Sequence, residues 1–336
     1  MQRYRYIDVI CGIMIVWMIL GHIASACNLK ESWFYITGNH LLPFFMPWFF
    51  YKSGMLYKHK NAYEMLVGGG KKLLVPYASF CLATFILVII HGFFSNELLM
   101  GIRDFGLQLL YKGAPDSNMA LWFLLTLFFV KNIYNCLFSY GARSLLIFAV
   151  FLFFATLINY LRNVTQGFDV LSEPRYLYNT VTGVCFFAAG NYLKDIQFNK
   201  LIACSMFAIH LLVIVICFSF VDMYPNELIE GSYLLWLLSS ITGCVIVNNI
   251  FKKMSECFKF SLLNYIGINS MTYLVVHMWI VYITTVLILP RLSINNTYVS
   301  ALCSLLVLMV LMPFINKVLH NKYLCWTIGE IQDVPN

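Results

Sequence analysis

The chain has 336 residues, 61% of them hydrophobic and only 11% charged, against roughly 25% charged in an ordinary soluble domain. So few charges cannot cover a water-soluble protein of this length. The apolar residues fall in blocks of about 17–26, the length that spans a hydrocarbon core of about 30 Å. These unbroken runs exclude the alternation of a barrel and predict an all-α polytopic transmembrane helical bundle of about ten helices.

In chain order the predicted spans are 7–27, 41–57, 73–93, 119–139, 144–161, 177–193, 201–222, 231–250, 262–289 and 297–319, forming one integral membrane domain over residues 1–336. The first span imitates a secretory leader, with Arg3 and Arg5 ahead of an apolar run and Ala24-Ser25-Ala26 behind it. Its length and its Asp8 and His22 argue that it stays attached. With the N-terminus inside, fifteen Lys and Arg residues fall on the cytoplasmic side, from Arg3 and Arg5 to Lys317 and Lys322. Six fall outside: Lys30, Arg103, Lys112, Arg162, Arg175 and Arg291. This bias satisfies the positive-inside rule and predicts a multi-pass protein of the cell (inner) membrane with both termini cytoplasmic. It also accounts for the net charge of +7 without a nucleic-acid partner; membrane lipids are the expected surroundings. The longest interruptions are residues 94–118 and 162–176, both outside, where Asp169 and Glu173 are among the acidic residues. The apolar stretch around Phe105–Tyr111 is too short to span and reads as a re-entrant or interfacial helix. The eleven cysteines contain no Cys-x-x-Cys pair and read as small buried hydrophobes, not as a disulfide or metal framework.

A charge near a helix centre costs roughly 2.5–3.5 kcal/mol on insertion scales, so each polar residue inside a span asks for a reason. The candidates are Asp8, His22, Lys52, His210 and His277, with Asn191, Asn248 and Asn249 behind them. Asp8 and His22 are 14 residues apart, about 21 Å along a helix, and 14 steps of about 100° return them to one stripe. That stripe either hydrogen-bonds neighbouring helices or presents a carboxylate and a deeper imidazole to a reaction site; the pairing favours the second. His277 lies at a depth similar to that of His22, so the two are candidates to line one cavity. His210 has no accompanying pattern and reads as a packing histidine. Gly68-Gly69-Gly70-Lys71-Lys72 precedes Pro76; it reads either as an amide nest for a phosphate ester or as a flexible interfacial loop.

Several blocks together resemble acyltransferase family 3 of membrane proteins, near its sugar O-acetylase branch. They are Tyr6-Ile7-Asp8 through Gly12-Ile13 to Leu20-Gly21-His22, Pro47-Trp48-Phe49-Phe50 with Ser53-Gly54, and Lys71-Lys72-Leu73-Leu74-Val75-Pro76-Tyr77. Leu121-Trp122-Phe123-Leu124 and Ile266-Gly267 through Asn269-Ser270 to His277 follow in order. The resemblance covers about residues 4–320.

It implies ten helices and transfer of an acyl group, usually acetyl, from cytosolic acyl-coenzyme A (acetyl-CoA) to a hydroxyl of a carbohydrate acceptor, a cell-envelope polysaccharide or its lipid-linked precursor. It implies that His22 is the essential first-helix histidine and that Lys71 and Lys72 serve the donor; Asp8 and His277 join His22 as catalytic candidates on their positions, and no metal is expected. Cys11 departs from the family, which usually has Arg or Lys there. Lys52, placed at a similar level on the second span, is the candidate to supply that missing charge for the donor. The bare chemistry agrees: a neutral imidazole is suited to take a hydroxyl proton near neutral pH, whether directly or through an acyl-enzyme. A transporter or flippase for envelope glycans is the alternative, weakened by the lack of an inverted repeat. A structural scaffold comes third.

Overall fold

A computed structural model describes residues 4–330 except 96, 165–173, 195, 197–199, 217, 225 and 295. Arg3, Asp169 and Glu173 of the predicted topology lie outside the described residues. The chain runs through α1 (Arg5–Ala26), α2 (Trp33–Leu41), α3 (Phe45–Met55), α4 (Ala62–Gly69), α5 (Val75–Ser95), α6 (Leu98–Lys112) and α7 (Trp122–Ser139). It continues through α8 (Ser144–Val164), α9 (Arg175–Leu193), α10 (Lys200–Ile216), α11 (Tyr233–Cys257), α12 (Ser261–Ile268), α13 (Ser270–Tyr282) and α14 (Thr297–Leu319). Between α10 and α11 lies a short antiparallel hairpin, β1 (Phe220–Asp222) with β2 (Glu227–Glu230), in which Val221 faces Leu228. Among the described residues, seven helical stretches are long and apolar enough to cross a membrane. Their outward faces are apolar too: Phe153, Val310 and Phe314 are exposed, as expected where lipid replaces water as the solvent.

Four of the expected spans take a different form. Residues 41–57 do not make one helix; the chain breaks at 42–44 between α2 and α3. Pro43 has no amide hydrogen to continue a helix, and its carbonyl instead accepts a 3.1 Å bond from Trp236 Nε1. The third span is longer than expected, because α4 runs into α5 through a π-helical turn, Gly70–Leu74. A proline inside a helix removes one i→i−4 bond and crowds the preceding turn, so the wider turn just ahead of Pro76 absorbs that mismatch. The helix of the seventh span, α10, ends at Ile216, and Phe220–Asp222 of the predicted segment form strand β1. The ninth is split at Asn269, whose Nδ2 bonds the Tyr265 carbonyl at 2.8 Å, and it ends in a second π-helical turn, Ile283–Ile288.

Two close crossings set the bundle. A methyl group added at Gly12 would collide with the Leu263 carbonyl, and one at Gly267 with the Asp8 carbonyl, so α1 and α12 touch backbone to backbone. Gly54 and Gly190 do the same for α3 and α9, against the carbonyls of Phe187 and Tyr51. With little hydrophobic drive between helices in lipid, such small-residue contacts supply the packing attraction. The glycines of three family-like blocks are therefore packing devices. Gly267→Val is expected to abolish the folded protein, whereas Gly68→Ala, facing open space, should leave the melting temperature within about 3 °C; size-exclusion profile and thermal melt of the detergent-solubilised variants check both.

Candidate functional site

The α1–α12 crossing lays the upper half of α1 along α13, and there the two predicted histidines meet. The rings of His22 and His277 are 5.1 Å apart, centroid to centroid, at 41°. His277 is fully buried. Its Nδ1 donates to the carbonyls of Tyr273, at 2.7 Å, and Leu274, at 3.1 Å. Those carbonyls fix the proton on Nδ1, so Nε2 is a bare lone pair, and it has no protein partner. An orphaned buried acceptor costs about 1–3 kcal/mol. His22 is half-buried and opens onto a cavity.

That cavity, about 240 Å³, is walled by α1, α3, the segment ahead of α7 and the hairpin. Its lining mixes Trp17, Tyr35 and Trp122 with Lys30, Arg175 and Asp222. Flat apolar rings beside hydrogen-bonding groups suit a polyhydroxylated ligand, whose ring faces are apolar and whose edges are polar. Tyr224, also in the wall, donates from its hydroxyl to Asp116 Oδ1 at 3.2 Å, and Asp116 is held by Lys112 at 2.7 Å. Burial pushes the Asp222 carboxyl above the usual carboxylate range; the Tyr224 amide, Lys30 and Arg175 oppose the rise, while Glu227 adds to it.

A second cavity, about 140 Å³, lies along the same helices, and Lys52, Ser53, Leu73, Phe123 and Ser270 are among its lining. Met18, Met46 and Leu274 line both cavities. The ammonium of Lys52 is 3.5 Å from Cys11 Sγ and about 5.3 Å and 5.4 Å from the ring centres of Trp48 and Phe49. A cation from the facing helix thus stands beside Cys11. Leu73 is part of this lining, and the two residues just before it, Lys71 and Lys72, are exposed. On α7, Leu124 and Leu127 line the cavity, and one turn further Lys131 feels the positive charge of Lys72 and Lys60.

Not every expectation stands. Gly68, Gly69 and Gly70 do not form an amide nest. Gly69 and Gly70 have helical backbone angles, and the Gly70 amide bonds back to Leu66 and Val67, so no row of free amides faces a phosphate there. Asp8 shares α1 with His22 but lines neither cavity. His210 is a packing residue, bonded to Thr242 Oγ1 at 3.1 Å. Asn191 bridges Tyr134 and Ser144, and Asn248 and Asn249 bond back to carbonyls of their own helix. In the sequence Lys30, Arg175, Lys60 and Lys131 stand as topological charges and Asp222 as outer-loop acidity, with acceptor binding its less favoured reading; nothing in their spacing marks them. Nothing marks Asn118 either. Buried at φ −145°, ψ 59°, Asn118 donates to the Val275 carbonyl at 2.9 Å and so pins α13 two residues before His277. Among the described residues no group of three or more His, Cys, Asp or Glu could hold a metal ion.

A family model described as an acyltransferase domain matches residues 4–316. No curated protein and no solved structure matches the chain.

Because the folded state holds the Asp222 proton more tightly than the unfolded chain does, stability falls as pH rises through and above the ordinary carboxylate value of 3.8, until the raised folded value is passed. Asp222→Asn removes this loss. The variant should melt like the wild type at low pH and above it near neutrality, as read by thermal melts from acid to neutral pH.

Proposed function

The chain belongs to acyltransferase family 3, and from that premise we propose that it transfers an acetyl or similarly short acyl group from cytosolic acyl-coenzyme A to a hydroxyl of a cell-envelope sugar or polysaccharide. The observation that carries this reading is the His22–His277 contact beside a cavity with aromatic and charged walls. A second cavity beside it is lined in part by Leu73, which follows the exposed Lys71 and Lys72. With the N-terminus cytoplasmic, the Lys52 cavity opens toward the cytosol and the His22 cavity toward the envelope. The donor's phosphates are then met by Lys71 and Lys72, with Lys60 and Lys131 adding to the positive rim. Its pantetheine arm passes Lys52 and Ser53. The acceptor sugar lies against Trp17 or Trp122, with Asp222, Lys30 and Arg175 within reach of its hydroxyls.

In the reaction His22 takes the proton of the acceptor hydroxyl as the oxygen attacks the thioester carbonyl. The carbon–oxygen bond forms, the carbon–sulfur bond breaks, and the imidazole returns the proton to the leaving thiolate, so coenzyme A departs as thiol. His277 holds one flank of His22 and offers it an acceptor atom, which steadies the transient imidazolium. Asp8, remote from both cavities, is assigned to the cytoplasmic end of α1 rather than to proton transfer.

Two outcomes check this reading. His22→Ala should insert and melt normally yet lower acyl transfer by about 10²–10⁴-fold, measured as thiol release from acetyl-CoA by membranes containing the native glycans. Full activity in the folded variant would overturn the assignment, and glycan movement without thiol release would identify a flippase. Lys52→Ala should also abolish transfer, and adding Cys11→Arg, which returns a cation to the same spot, should restore part of it. A fully active Lys52→Ala protein would show that the charge is not needed.

A further inference from the structure

The two cavities share a boundary of three side chains. Met18 on α1, Met46 on α3 and Leu274 on α13 each line both cavities, and each is buried. On one side of them are Lys52, Ser53 and Ser270; on the other are His22, Ser25 and Asp222. Nothing in the shared boundary can bind water or carry a charge. Two of its members are methionines, whose three rotatable bonds let them shift without disturbing their helices. The third is tied to the reaction centre, because the Leu274 carbonyl accepts from His277 Nδ1 at 3.1 Å.

We infer that Met18, Met46 and Leu274 form an apolar partition that passes only the acyl end of a thioester from the Lys52 cavity to His22 and thereby sets the length of acyl group accepted. The assignment of the thioester rests on the donor reading above; the partition itself does not. Charged pantetheine phosphates and water find no partner at this boundary, whereas a short alkyl group does. The same feature keeps the two aqueous compartments apart and shields the thioester from hydrolysis on the acceptor side. An acyl chain longer than the gap has to displace the three side chains, at a discrimination of about tenfold or more per methylene in an apolar pocket.

Two readouts test it. First, Ser25→Cys and Ser53→Cys report the two sides separately. In oriented vesicles a charged, membrane-impermeant methanethiosulfonate should label Cys introduced at 25 only from the envelope face and at 53 only from the cytosolic face, as located by peptide mass spectrometry. Adding Met18→Ala or Leu274→Val should allow labelling of both positions from either face. Labelling of both from either face in the otherwise wild-type protein would overturn the partition. Second, thiol release is compared for acetyl-, butyryl- and hexanoyl-CoA. Met18→Ala, Met46→Val and Leu274→Val should each shift the hexanoyl-to-acetyl ratio upward by about tenfold; the two milder variants carry the test if the first does not fold. Ratios unchanged within about twofold in folded variants would remove the length-setting role. If labelling is sided as described but no thioester is consumed, the acyltransferase reading falls and the partition stands.

Discussion

The backbone contact between α1 and α12 is the constraint on which the rest depends. Gly12 and Gly267 let the two helices meet at the carbonyls of Leu263 and Asp8, and no larger residue fits either place. That contact fixes the register of α1 against the broken α12–α13 pair. Ten residues along α1 from Gly12, and ten from Gly267 through the Asn269 break, stand His22 and His277. Their 5.1 Å approach follows from the crossing in the way that a hinge determines where the ends of its leaves meet. The bundle's polar chemistry is positioned by its least polar residues.

Membrane burial raises the stakes of each polar group, and the bundle answers in two ways. Several intramembrane polar groups find partners within it: the Asn191 amide nitrogen in Tyr134 and Ser144, His210 in Thr242, and the Asn269 amide nitrogen in its own helix. A few open onto space instead. Lys52 faces one cavity against aromatic rings and the Cys11 sulfur, and His22 faces the other. Reactants that approach from opposite sides need such an arrangement: two aqueous recesses that reach within one side chain's thickness of each other but remain separate.

Much of this was legible in the sequence because lipid imposes a simple code. Long apolar runs marked α1, α5, α8, α11 and α14, and depth alone suggested that His22 and His277 come together; their rings do meet, but only His22 lines a cavity, while His277 is buried behind it. The approach of Lys52 to Cys11 was legible because antiparallel neighbours bring similar depths together. The breaks were harder. Pro43 and Asn269 interrupt helices whose flanks are apolar enough to look continuous, and the freed carbonyls are rescued by distant residues such as Trp236. Strand β1 was hidden because Phe220 and Val221 are as apolar as the helix before them. The charges around Asp222 carry no mutual spacing, since they come from a loop, the first turn of α9 and a hairpin. Only the fold joins them.

Acyl transfer to an envelope glycan by way of His22 is the central claim, and mass spectrometry of envelope glycans from cells with and without this protein tests it most directly. The glycan fraction should lose one acyl unit per modified residue when the protein is removed and regain it with the wild-type chain, but not with His22→Ala. Identical glycan masses in all of these cells would contradict a sugar-directed transfer.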